Sequence, residues 1–401
     1  MGGDERRMAP TGLGFDAVRR TNLATVLQHV HYAGSISRAD LGRATGLNRS
    51  TIIGLASELQ DRGLIVERPP AVIPNRDRGR PSALLEPDKS VATLVAHVDV
   101  SDLIIALVSL GGTVLARTHI AVNDPVSVHE LAQILAIERP RLEATLDRLR
   151  VVHGAVALSA LVSADSQVVI SAPQVGWKDE PVGKRLTDQL GLPMSVVNDA
   201  LASGTAEMRF GTARGLSDVL YVQGTDHGIS CGIFVDGEPL RGSQGYAGQL
   251  GFNLVSPPRG TAGRITARTV NDEVTRRELL RAMGNEEATD DDIQSALYEG
   301  EPAATRTIGR RQAEILSLVL ANVTNMMNPE AIVLNGFVAA LYGSDPGYLT
   351  TLVRRQCLPE SFEGLTILRS SLGPDAVLLG AAEEAFSTLL ATADPRDARR
   401  N

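Results

Sequence analysis

Little in this chain supports covalent or metal-based scaffolding. Its 401 residues include only two cysteines, Cys231 and Cys357, too few and too isolated for a disulfide framework or a zinc site. Aromatic residues make up 3% of the chain, so aliphatic cores are expected. There is no N-terminal apolar leader, no apolar run long enough to span a bilayer and no lipidation signature, which points to a cytoplasmic protein without membrane segments. The seven histidines are scattered, and none stands at ligand spacing to a cysteine or carboxylate cluster. They read as packing or surface residues. No tandem repeat or low-complexity tract is present, and the length allows two or three domains.

What is present begins at Ser37, where the chain reads SRADLGRATGLNRSTIIGLASELQDRGLIVE. Ser37 can cap a short helix, with Asp40 favouring its positive end. Gly46 closes that helix, and Gly-Leu-Asn supplies a turn of helix-turn-helix length. Asn48 caps a second helix whose Ile52, Leu55, Ala56 and Leu59 share one face, and Gly63 ends it before an apolar strand. Upstream, Leu23, Val26, Leu27 and Val30 mark another helix that stops at Gly34. Three helices and a strand make a winged helix-turn-helix module.

Arg76-Asp77-Arg78-Gly79-Arg80-Pro81 stands where the wing would be. Alone it reads as a solvated linker; after a recognition helix and a strand it reads as an arginine segment suited to a narrow minor groove. Charge agrees. Residues 1–82 hold twelve Arg, no Lys and eight acidic residues, a balance of +4, whereas the rest of the chain carries −12. A basic head on an acidic body confines phosphate contact to the head.

A recognition helix capped by Asn48 presents its first turn to the major groove, which makes Arg49, Ser50 and Thr51 the leading contacts, with Arg38 on the preceding helix and Arg78, Gly79 and Arg80 on the wing. Arg49 is suited to guanine O6 and N7. Ile53 lies off the apolar stripe and either meets a thymine methyl or packs on the first helix. Gly54, costly inside a helix, reflects either close approach of a DNA backbone or a plain loss of side-chain contact.

Beyond the wing, strands are expected at 91–100, 103–110, 113–120, 151–158, 167–170, 192–197, 219–222, 228–235, 331–335 and 365–368. Helices are expected at 128–138 (broken at Pro140), 200–210, 290–299, 303–327 and 376–390. Strands followed by helices, in two successive blocks, argue an α/β body with two lobes and a cleft between them.

Several motifs then appear in order: Ser171-Ala172-Pro173-Gln174-Val175-Gly176-Trp177, Val197-Asn198-Asp199-Ala200, Arg241-Gly242-Ser243-Gln244-Gly245-Tyr246-Ala247-Gly248, Asn328-Pro329-Glu330-Ala331 and the segment from Gly373 to Gly380. Their order and spacing resemble the ROK family of repressors, open reading frames and sugar kinases, in its transcription-factor branch. The resemblance implies an α/β fold, with a winged helix ahead of a two-lobed actin/hexokinase-like (RNase H-like) body. Expected boundaries are a flexible tail at 1–14, the DNA-binding domain with its wing at 15–86, lobe one at 87–200 closed by a helix at 376–390, lobe two at 201–375 and a tail at 391–401.

The resemblance also locates what has been lost. Family kinases cradle ATP phosphates with glycine turns, because glycine lets backbone N–H groups approach closely. The first turn here is Asp99-Val100-Ser101-Asp102-Leu103, in which Asp102 would face the triphosphate with like charge. The second, Asp226-His227-Gly228-Ile229-Ser230-Cys231-Gly232, keeps two glycines, and a Gly-Gly pair near the adenine has become Asn335-Gly336. Asp199 matches the family's general base, but a base without phosphate positioning gives little phosphoryl transfer. It is therefore expected to be vestigial, with no catalytic role.

For sugar binding the resemblance points to Gln174, Asn198, Asp199 and Gln249, and to Phe252 where the family has His. With that His and the cysteine trio gone, no zinc and no cofactor is expected. The cleft either binds a different, sugar-like metabolite through Gln174, Asn198, Asp199 and Gln249, or binds nothing, leaving Asn198 and Asp199 to cap a helix.

The reading is a cytoplasmic transcriptional regulator of repressor type, tied to carbohydrate metabolism, acting on a double-stranded DNA operator as a homodimer or higher homo-oligomer. The alternatives are a sugar kinase with an appended head and a ligand-independent DNA-binding scaffold.

Overall fold

The computed structural model of the protein describes residues 14–69, 83–255 and 267–396. The chain opens with α1 (Phe15–Ala33), β1 (Ile36–Ser37), α2 (Arg38–Thr45), α3 (Arg49–Asp61), β2 (Ile65–Arg68) and β3 (Leu84–Pro87). The caps act as their sequence dictates. Ser37 Oγ accepts from the Asp40 N–H at 3.1 Å, and Asn48 Oδ1 accepts from the Thr51 N–H at 2.9 Å. Gly46 turns the chain between α2 and α3 at a φ of 69°, where a side chain would be strained. Ile52, Leu55, Ala56 and Leu59 bury one face of α3 against Leu23, Val26, Leu27 and Val30 of α1. The strands pair as β1-β3-β2, and residues 70–82, with the expected wing arginines, lie outside the described residues.

Lobe one contains β4 (Val91–Val98), β5 (Asp102–Ser109), β6 (Thr113–Ala121), α4 (Val128–Glu143), β7 (Arg150–Leu158), β8 (Leu161–Val162), β9 (Val169–Ala172), β10 (Trp177–Glu180), α5 (Val182–Leu190) and β11 (Met194–Asn198). Its main sheet runs β11-β7-β4-β5-β6, with the three expected neighbours antiparallel and β7 and β11 parallel to β4. The break expected at Pro140 does not occur, since α4 continues to Glu143. The proline removes one N–H, and the carbonyl left without it belongs to Ala136 on the exposed face of the helix.

The connecting helix α6 (Asp199–Phe210) is followed by lobe two: β12 (Val219–Thr225), β13 (Gly228–Val235), β14 (Glu238–Pro239), α7 (Val270–Glu273), α8 (Arg276–Met283), α9 (Asp290–Glu299), α10 (Ala303–Met327), β15 (Ala331–Gly336), α11 (Phe337–Ser344), α12 (Pro346–Gln356), α13 (Pro359–Phe362) and β16 (Thr366–Arg369). The order β14-β13-β12-β15-β16 places two parallel strands beside three antiparallel ones, and the turn from β13 to β14 uses Asp236 and Gly237, both at positive φ.

The closing helix α14 (Ala376–Thr392) returns to lobe one, packing on α6, β4 and β7. It overruns the tail expected from residue 391: Ala393 is fully buried, and Arg62 of the head donates to its carbonyl at 2.8 Å. The head is likewise no tethered bead. One apolar cluster runs from Leu27 and Leu59 through Leu85 and Val95 to Phe386 and Leu389, so head, lobe one and α14 share a core. At roughly 25 cal/mol per Å² of apolar surface, a shared core resists separation of its parts.

Candidate nucleic-acid interface and ligand cleft

On the outer face of the head, Arg38, Gly42, Arg43, Leu47, Arg49 and Ile53 line a groove of about 710 Å³ that reaches Ala83. Arg49 and Ile53 stand four residues apart and so project from one side of α3. Ile53 is 46% exposed, so about half of its side chain is presented to the groove. Arg49 has no hydrogen-bond or ion-pair partner among the described residues. Its neighbours differ: Arg38 makes two bonds to Glu67, at 2.5 and 2.7 Å, and Arg43 pairs with Asp40. Ser50 donates to Asn48 Oδ1 at 2.7 Å. Thr51 gives its N–H to the same cap. A Cβ built on Gly54 would meet nothing within 4 Å, so nothing inside the described chain requires glycine there.

Between the lobes lies a cleft of about 620 Å³, walled by Gln174, Asn198, Ser230, Gln249, Phe252 and Arg277 among others. Three of the four expected anchors therefore meet. Gln249 is brought in by Gly248, whose φ of 98° and closeness to the Cys231 carbonyl exclude a side chain. Gln174 donates to the Ser159 carbonyl. Asn198 accepts from the Ala200 and Leu201 N–H groups, both at 3.0 Å, and donates to the Ala160 carbonyl at 3.1 Å, so its amide is largely spent capping α6.

Asp199 stands apart from the other three. It is buried behind the wall, where its carboxylate accepts from Gln223 at 3.2 Å and from the Ala200 N–H at 2.8 Å. Burial raises its pKa, against the pull of His97. The carboxylate does not line the cleft.

The two altered turns meet each other. His227 Nε2 lies 2.6 Å from Asp99 Oδ1, bridging lobe two to lobe one. Burial would lift the Asp99 carboxyl, but His227 and the Val100 N–H together hold it below its ordinary value. The same contact raises His227, against an opposing effect of burial. Asp102, expected to face a triphosphate, instead lies 2.8 Å from His119 on the neighbouring strand β6. Two side chains of the protein thus stand between the turns.

A single helix links cleft and head. α6 begins at Asn198 and ends at Arg209 and Phe210 beneath α1. The Arg209 guanidinium sits 5.2 Å from the Tyr32 ring centroid, and the Phe210 ring lies 5.6 Å from His31 and 5.9 Å from Tyr32. On its flanks α6 packs against α14 and against β12 and β13.

The ROK family model matches residues 98–385. The chain belongs to the ROK family. A putative xylose repressor of Caldicellulosiruptor sp. (strain Rt8B.4) is 25% identical over 93% of this chain and 96% of its own length. The crystal structure of a ROK family transcriptional regulator, a homologue of the E. coli Mlc protein, superposes with a TM-score of 0.74 at 26% identity, over 95% of this chain and 98% of that one.

A ROK family glucokinase from Streptomyces griseus, solved with glucose and AMPPNP, shares the fold at a TM-score of 0.58 and 21% identity, but over only 73% of this chain. Matched over more than nine-tenths of its length to regulators, this ROK protein is a transcriptional regulator rather than one of the family's sugar kinases. Among the described residues no helix is long and apolar enough to cross a membrane.

Sequence reasoning missed four contributors. Arg43 in the head groove lay in plain view as another arginine of α2. Asn271, which accepts from the Ile229 N–H at 2.8 Å, reaches the cleft from a distant helix and gave no local signal. His227, grouped with the scattered histidines, bridges the lobes, and Arg277 reaches the cleft from α8.

Proposed function

We propose that this ROK regulator is a ligand-responsive repressor. Its head grips an operator through Arg49, Ile53 and the arginines at 76–80, its interlobe cleft holds a small hydroxylated metabolite, and α6 carries the occupancy of one to the other. The observation that carries the reading is the span of α6, from Asn198 in the cleft wall to Arg209 and Phe210 against the head. A shift of its N-terminus on ligand binding moves its C-terminus, because the shared core allows no slack. The relatives' names, xylose repressor and Mlc repressor, support both operator and sugar-like effector.

Self-association belongs to the same reading. Leu318 and Met326 on α10 and Leu358 after α12 are exposed at 41%, 77% and 60%, apolar side chains interspersed with Asn322 and Asn325 on a surface that suits a two-fold partner and a two-fold operator. The deciding experiment is genome-wide mapping of bound fragments, followed by fluorescence anisotropy on the best fragment with and without a panel of sugars. Salt-sensitive, sequence-selective binding that a sugar changes supports the proposal. Selective binding that no metabolite alters favours the scaffold, and a monomeric mass at micromolar concentration removes the dimer.

A further inference from the structure

The cleft opens into a second cavity of about 740 Å³ at the edge of lobe two, with Asp226, His227, Gly228, Asn271 and Arg277 common to both. The acidic residues of this outer cavity are already engaged. Asp226 accepts from Arg276 at 3.1 Å, Asp272 accepts from the Thr269 N–H and hydroxyl at 2.8 Å each, and Glu278 accepts from Arg311 and Gln312. Arg276 also binds Asp290 at 2.9 Å, which fixes the start of α8.

Two arginines are left over. Arg277 and Arg281 have no hydrogen-bond or ion-pair partner among the described residues, and both line the outer cavity. Their spacing puts them on the same side of α8. Arg277 alone of the two also lines the cleft, where it faces the same space as Gln249 and Gln174. Apart from His227 and Asp226, each already paired, it is the charged group of that wall.

Resting on the reading of the cleft as an effector site, we propose that the effector is an anionic hydroxylated metabolite whose phosphate or carboxylate is held by Arg277, with Arg281 adding to the positive field. The guanidinium fork matches both oxyanions in two-point geometry, while Gln174 Oε1, the Gln249 amide and Ser230 remain for hydroxyls. Arg277 and Arg281 are both exposed, so water solvates them in the empty cleft, and an anion offers Arg277 the paired acceptor oxygens that a neutral sugar lacks.

The test is thermal shift and Trp177 fluorescence on the full chain with glucose, glucose 6-phosphate, glucuronate and inorganic phosphate, repeated on Arg277→Gln and on Arg355→Gln, an exposed arginine of α12 that controls for lost charge. Expected is saturable binding of glucose 6-phosphate or glucuronate, weakened about tenfold or more by Arg277→Gln and unchanged by Arg355→Gln. Which of the two probes binds tells phosphate from carboxylate. Glucose binding with equal affinity to the native protein and Arg277→Gln overturns the anion while leaving the effector cleft standing. Silence from all four probes overturns the proposal, and the reading beneath it then falls only if no sugar moves operator binding either.

Discussion

His31 of the head and Glu383 of α14 meet at 2.7 Å, side chains buried, in the seam where the head joins the body. The Gly111 N–H donates to His31 Nδ1 at 2.8 Å, so Nε2 carries the proton and donates to the carboxylate. One imidazole thereby ties the head helix to a lobe-one turn and to the closing helix. His31→Ala takes one donor from a buried carboxylate that keeps the Tyr32 hydroxyl beside it, a loss of about 1–3 kcal/mol. Urea unfolding should show that drop in midpoint with little change in slope, and a change under about 0.5 kcal/mol would mean water replaces the imidazole.

Arg49 is unpaired at the first turn of α3, so its truncation costs the free head little. Arg49→Ala is expected to cost about 1–3 kcal/mol on the preferred operator and much less on variants altered at the contacted base pair. Competition anisotropy across single-base variants reads this directly. Uniform loss on every sequence, together with a shallower salt dependence, would assign Arg49 to phosphate instead.

At Gly54 stability and function should part company. The open space around its Cα admits a methyl group, and alanine in a helix is favoured by about 0.5–1 kcal/mol. Gly54→Ala should therefore raise the melting temperature of the protein. If DNA backbone approaches α3 there, the same variant binds the operator more weakly. Higher stability with unchanged affinity would show that Gly54 is merely tolerated.

Much of this was legible because local chemistry decides it. Ser37 and Asn48 cap the head helices through their side chains, Gly46 and Gly63 turn the chain at positive φ, and the apolar stripe of α3 is buried residue for residue. Helices Asp290–Glu299 and Ala303–Met327 have the bounds that their flanking caps and turn residues indicate. What could not be read is what depends on distant partners. Nothing near His227 announces Asp99, 128 positions away, and nothing near Arg209 announces Tyr32. Pro140 misled because a helix breaker was judged without knowing which face its lost bond would occupy.

The Asp99–His227 bridge gives a pH dependence whose sign follows from both shifts. His227 is raised in the folded state, so its contribution is complete below the ordinary histidine value and fades as pH rises through the raised one. Asp99 is lowered, so its contribution is complete above the ordinary carboxylate value and is lost only in stronger acid. Between those limits the bridge holds the lobes together. Melting curves of the native protein and His227→Gln should differ most near pH 5–6 and converge in mildly alkaline buffer. A gap independent of pH would mean that the neutral imidazole supplies the whole contact.

The contact between Arg209 and Tyr32 tests whether α6 transmits anything. The pair is worth about 0.5–1 kcal/mol as a cation–π contact, small beside the shared core, so Arg209→Gln should fold and bind operator much as the native protein does. Coupling is another matter, because it depends on how well the last turn of α6 grips the head. Reciprocity requires the factor by which effector changes operator affinity to equal the factor by which operator changes effector affinity. Arg209→Gln should shrink both factors together, with each separate affinity within about threefold of native. If both factors survive unchanged, the signal bypasses α6, and α14, which touches head and lobe alike, becomes the element to cut.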